Sequence, residues 1–95
     1  MASETISRVS IQVSGRVQGV WYRASALERA RDLNLVGFVC NKSDGTVYIE
    51  AQGPSIPLVQ FMDCCKQGPP AARVDRIEVN DLPVNPFETF FVIKR

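Results

Sequence analysis

The sequence predicts a single α+β domain, an antiparallel sheet with two helices on one of its faces. Three observations point there. Short strand-like segments alternate with two helical stretches in the order β-α-β-β-α-β. The two middle strands are joined by a tight segment holding an Asp-Gly pair, a hairpin signal. The chain has 95 residues, which suits one compact core and leaves no room for a second. Residues 1–6 read as a short flexible tail and residues 7–95 as the domain.

In the first strand, Val9, Ile11 and Val13 alternate with Ser10 and Gln12, a period of two with one buried face. The loop Ser14-Gly15-Arg16-Val17-Gln18-Gly19-Val20 follows. From Tyr22 to Asn34 the composition turns helical, with Ala24, Leu27, Ala30 and Leu33 expected on one face and Asn34 as the stop. Val36 to Asn41 and Thr46 to Ala51 are the middle strands, around the turn Lys42-Ser43-Asp44-Gly45. Gly53-Pro54-Ser55 then breaks the chain, and Ser55 is placed to cap a second helix with Pro57 in its first turn. Leu58, Phe61, Met62 and Cys65 form its core stripe, and Gly68-Pro69-Pro70 ends it. Val74, Ile77 and Val79 suggest a further strand, with Val74 out of phase. Leu82 to Pro86 is a connection, and Phe90 to Ile93 is a short extra strand at the end.

This order is that of a ferredoxin-like sandwich, βαββαβ. In it, strands one and two run the same way with strand three between them. The loop after strand one and the end of strand two then share one edge of the sheet, about 10 Å apart at two strand spacings.

Composition narrows the chemistry. Hydrophobic residues make up 45% and charged residues 22%, an ordinary globular balance. Lys plus Arg is 11 and Asp plus Glu is 10, for a net charge of +1, a poor match to a nucleic-acid binder. Trp21 and Tyr22 beside arginines form no strand-borne RNA-binding motif; Tyr22 is expected in the core and Trp21 on the loop. The three cysteines, Cys40, Cys64 and Cys65, lack disulfide and C-x-x-C spacing and read as reduced thiols of a cytoplasmic protein. The first residues carry no secretory signal, and no apolar run is long enough to span a membrane. With no histidine, Ser-His-Asp and Cys-His catalysis and His-based metal sites are all removed.

What remains is Arg, polar side chains and backbone. Gly15 and Gly19 permit positive φ and close approach of a ligand. The loop between them feeds a helix N-terminus, where N–H groups and the helix dipole favour an anion. Arg23, at the helix start, can grip two phosphate oxygens. On these features alone, a plain strand-to-helix turn with solvated arginines is the favoured reading.

The stretch Gly15-Arg16-Val17-Gln18-Gly19-Val20-Trp21-Tyr22-Arg23 resembles the first signature of the acylphosphatase family, with Tyr22 in place of the usual Phe. Gly37-Phe38-Val39-Cys40-Asn41, then Gly45-Thr46-Val47 and Gly53, resemble the second, with Cys40 where a basic residue is common. Gly68-Pro69-Pro70-Ala71 and the ending from Phe90 to Arg95 are also similar to the family. The resemblance runs from about Val9 to Arg95 and implies a small free-standing hydrolase that splits acyl phosphates into carboxylate and inorganic phosphate. It implies a phosphate cradle at Gly15, Arg16, Val17, Gln18, Gly19 and Val20. It implies that Arg23 binds phosphate and that Asn41 orients the attacking water. No metal or other cofactor is implied; the expected partner is a small acyl phosphate, without nucleic acid or membrane, and the protein is expected to be a monomer. Two other readings compete: a non-catalytic anion-binding module and an RNA-binding module.

Overall fold

The computed structural model describes residues 5–94. Elements follow in the order β1 (Ile6–Arg16), α1 (Tyr22–Asp32), β2 (Val36–Asn41), β3 (Val47–Pro54), α2 (Ser55–Gln67), β4 (Arg73–Leu82) and β5 (Phe91–Ile93). The sheet order is β4-β1-β3-β2-β5. The first four strands pair antiparallel, as the pattern requires. β5 adds to β2 in parallel, so the five-stranded sheet as a whole is mixed. Of the expected tail, residues 1–4 lie outside the described residues, and Ile6 already pairs with Pro54.

Alternation decides which face of the sheet is buried. Ile11, Val13, Val39, Val47, Ile49 and Ala51 are fully enclosed beneath the helices. α2 presents Leu58, Phe61 and Cys65, the expected stripe, and Phe61 meets Phe91 edge-on at 5.8 Å. α1 differs from the expectation. Its buried residues are Tyr22, Ala26 and Ala30, a strict four-residue step. Leu27 and Leu33 are half-buried at its margin and Ala24 is exposed. Small alanines let α1 lie close to the sheet, and Tyr22 supplies the bulk at its N-terminal end. After Asp32 the chain closes through Asn34 at φ 56°, a conformation Asn tolerates, with the Leu35 N–H returning to the Ala30 carbonyl at 2.9 Å.

The break expected at Gly53-Pro54-Ser55 falls at its far end, between Pro54 and Ser55. β3 runs on through Gly53 and Pro54, paired with Ser7 and Ile6. Pro54 is the last paired residue, where a missing N–H disturbs the ladder least. It also occupies the N-cap position of α2, without a side-chain cap, so Ser55 is helical rather than the cap. The phase shift in β4 has a cause as well. Ser14 faces Arg76 while Gly15 faces Val74, so Asp75 has no partner on β1. This bulge returns Val74 to the half-buried side with Ile77.

The outer face of the sheet is polar. Arg8, 5% exposed, donates to Glu50 and Glu88, while Gln52 exchanges two hydrogen bonds with the backbone of Asn85. These contacts hold the β4–β5 connection to the sheet. Among the described residues no helix is long and apolar enough to cross a membrane.

Candidate active site

The β1–α1 loop is pinned from three sides. Val17 and Val20 are buried in the core, at 2% and 6% exposure, and anchor the loop from below. Gly15 lies inside β1 at φ 129°, where a Cβ would fall 2.2 Å from the Arg73 carbonyl oxygen. Its glycine is therefore demanded by the neighbouring strand. Gly19 lies in the loop proper at φ 72°, with open space in front of it. The third fastening is Gln18, whose Nε2 donates to the carbonyls of Lys42 at 2.7 Å and Thr46 at 2.8 Å.

Those two carbonyls belong to the β2–β3 turn. Lys42 N–H donates to the Thr46 carbonyl, and Asp44 accepts from the Thr46 N–H at 3.0 Å and hydroxyl at 2.6 Å. The Thr46 hydroxyl bond, then the backbone bond, lowers the Asp44 pKa below the ordinary carboxylate value. The turn is thus braced by its own hydrogen bonds, and Gln18 ties the loop to it.

Register places the other candidate residue, Asn41. Val13 and Asn41 both pair with Val47, from opposite sides of β3. The exit of β1 and the C-terminal end of β2 therefore stand at the same sheet edge, about two strand spacings apart. Asn41 is exposed there, next in sequence to the Lys42 carbonyl that Gln18 holds.

Trp21 is the N-cap of α1, in the left-handed region at φ 67°, with no side-chain cap bond, and the first turn of α1 holds no acidic residue. Its positive N-terminal end therefore meets no carboxylate of its own. Arg23 is half-buried, and the four ion pairs among the described residues leave its guanidinium unpaired. It lines an open cleft with Val17, Gly19, Trp21, Tyr22 and Ile93. Asn41 is not among the residues lining that cleft; its link to the loop runs through Lys42 and Gln18. Gly15 and Arg16 sit in β1 rather than in the loop.

Tyr22 is a core residue, as expected. Its hydroxyl donates to the Cys65 carbonyl at 2.7 Å. Four residues on, where an N–H would normally complete that helix bond, stands Pro69, which has none. Burial raises the Tyr22 pKa and pushes the Cys65 thiol up to about 12. Trp21 is 80% exposed on the loop. Among the described residues no cluster of three or more Cys, Asp or Glu side chains is arranged to hold a metal.

Sequence reasoning assigned Gln18 to the cradle but missed its role as a fastener, and missed Trp21 and Ile93 as walls of the cleft. Nothing local marks Ile93, because β5 reaches the cleft only by pairing with β2.

A family model described as Acylphosphatase matches residues 9–93. A protein of Methylococcus capsulatus called Acylphosphatase is 42% identical over 90 residues, covering 95% of this chain and 98% of its own length. One of Shewanella amazonensis with the same name is 55% identical over 75 residues, covering 78% of this chain and 81% of its own. The crystal structure of acylphosphatase from Bacillus subtilis superposes with a TM-score of 0.90 at 34% identity, over 96% of this chain and all of that one. The full-length HypF structure, in its phosphate- and nucleotide-bound form, superposes at 0.89 with 32% identity, and this chain spans 12% of it.

Proposed function

The chain belongs to the acylphosphatase family, and from that membership we infer that it hydrolyses small acyl phosphates where the β1–α1 loop meets the end of β2. Such a substrate expels a carboxylate, which is stable at neutral pH, so the leaving group needs no general acid. The demand is on position and charge. The backbone from Gly15 to Val20 and the N-terminal turn of α1 offer N–H donors to the phosphate. Arg23 adds a guanidinium whose two parallel N–H groups fit two phosphate oxygens. Together they supply the positive potential that a cation would otherwise bring, and the reaction runs without a metal. Asn41, through its amide oxygen, holds a water in line with the bond to be broken. The water's oxygen bonds to phosphorus, the bridging bond breaks toward the carboxylate, and the water's proton passes to a phosphate oxygen.

The observation that carries this reading is the Gln18 bridge, which ties the loop to the residue after Asn41 at 2.7 Å. The three free cysteines support a reducing compartment, so we read the enzyme as cytoplasmic, and as a monomer. The test is release of phosphate from acetyl and benzoyl phosphate with a chelator present, comparing the unsubstituted protein with Arg23→Ala. Each charge-assisted bond from Arg23 is worth about 1.5–3 kcal/mol, so the variant should lose roughly tenfold or more in kcat/KM. Full activity in Arg23→Ala, or its loss to the chelator, would overturn the reading.

A further inference from the structure

We propose that Trp21 and Ile93 form an acyl-binding wall beside Arg23, so that this enzyme selects acyl phosphates with an apolar, aromatic acyl group over small ones; the proposal rests on the acylphosphatase reading of the same cleft. Trp21 is the only tryptophan of the chain. It stands at the head of α1 with its side chain 80% exposed. Its backbone is left-handed, at φ 67° and ψ 17°, a conformation disfavoured for a bulky residue. The fold thus carries a large apolar side chain outside the core. Ile93 comes from the far end of the sequence, is 36% exposed, and lines the same cleft through the β5–β2 pairing.

Arg23 and Gly19 line that cleft too. In an acyl phosphate one bridging oxygen separates phosphorus from the acyl carbon. A phosphate gripped at Arg23 therefore leaves its acyl group within reach of the cleft's apolar side. An aryl group there gains contact with the indole and the Ile93 side chain. An acetyl group has little surface to offer, and a second carboxylate would find no donor on Trp21 other than the indole N–H and none on Ile93.

The test compares kcat/KM for benzoyl and acetyl phosphate in the unsubstituted protein, Trp21→Asn and Ile93→Ser. Asn accepts a left-handed backbone, so the substitution removes the indole while sparing the turn. The benzoyl-to-acetyl ratio should fall roughly tenfold in Trp21→Asn and about threefold in Ile93→Ser. The ratio is internally controlled, since a general loss of loop order lowers both substrates together. A ratio unchanged in both variants would overturn the acyl wall. The unsubstituted protein gives a second readout through its single indole. Phenylphosphonate should shift the tryptophan emission and methylphosphonate should not, while equal emission with the two counts against the proposal. Hydrolysis of neither substrate by the unsubstituted protein would instead overturn the reaction itself.

Discussion

Gln18 and Lys42 are 24 residues apart in sequence, yet the Gln18 side chain donates to the Lys42 backbone carbonyl at 2.7 Å, and by that bond the β1–α1 loop is fastened to the turn after the strand that ends in Asn41. A second bond from the same amide reaches Thr46. The fastening joins two elements that sequence-local forces leave independent.

Gln18→Ala should therefore separate the two halves of the site. The loss of two side-chain bonds, one of them exposed, should lower unfolding stability by about 1 kcal/mol. Turnover should fall by more than stability alone explains, because the loop and Asn41 are no longer held in register. Urea denaturation and kcat measured on the same preparation check this; unchanged kcat would show that the bridge is merely structural.

The two glycines of the first signature should respond differently. A Cβ at Gly15 would meet the Arg73 carbonyl oxygen at 2.2 Å, whereas one at Gly19 meets nothing within 4 Å. Gly15→Ala should cost about 3 kcal/mol or more through backbone displacement. Gly19→Ala should cost only the left-handed strain of about 1–2 kcal/mol. Thermal denaturation of both gives the order, and a Gly19 variant less stable than the Gly15 variant would contradict it.

Tyr22→Phe removes the hydroxyl that completes the end of α2. Pro69 cannot supply the missing N–H, so the Cys65 carbonyl would be left buried and unpaired. The expected loss is about 1–2 kcal/mol with activity retained, since the hydroxyl points into the core. A large loss of activity at unchanged stability would place Tyr22 in the chemistry instead.

The thiols should also separate. Burial pushes Cys65 up to about 12, well above its ordinary value, so it stays protonated through neutral and mildly alkaline pH. Cys40 and Cys64 are half-buried. Titration at pH 8 with an aromatic disulfide reagent should modify those two first, with Cys65 reacting only on unfolding. Equal rates for all three would contradict the burial.

Asp44 carries a pH signature. Its folded pKa is lowered by the Thr46 bonds, so the stability it lends the turn is present above the unfolded pKa and fades as pH falls through the folded value. Asp44→Asn should flatten the acid limb of the stability profile, and an unaltered limb would remove Asp44 from the account.

Much of this was legible in the sequence because local rules govern it. Alternation at Val9, Ile11 and Val13, the Asp44-Gly45 turn and the Leu58-Phe61-Cys65 stripe follow from period and turn chemistry. The strand order then brought Asn41 to the edge of the Gly15–Val20 loop. The rest was hidden in long-range pairing. The bulge opposite Asp75 exists only because Gly15 meets β4, so Val74 looked misplaced. Pro54 reads as a breaker, but at a strand end it loses nothing. α1 buries Tyr22, Ala26 and Ala30 because β2 and β5 lie under that face, which its own alanine-rich sequence does not distinguish. The Gln18 carbonyl contacts leave no mark on the residues they touch.

The most direct test of the central claim is the split between kcat and phosphate affinity in Asn41→Ala. Steady-state hydrolysis of benzoyl phosphate should show kcat reduced on the order of 10²–10³, as for loss of one preorganised polar group. Competitive inhibition by inorganic phosphate should be unchanged, since Arg23 and the loop remain. A variant with normal kcat and weakened phosphate binding would contradict the assignment of water to Asn41.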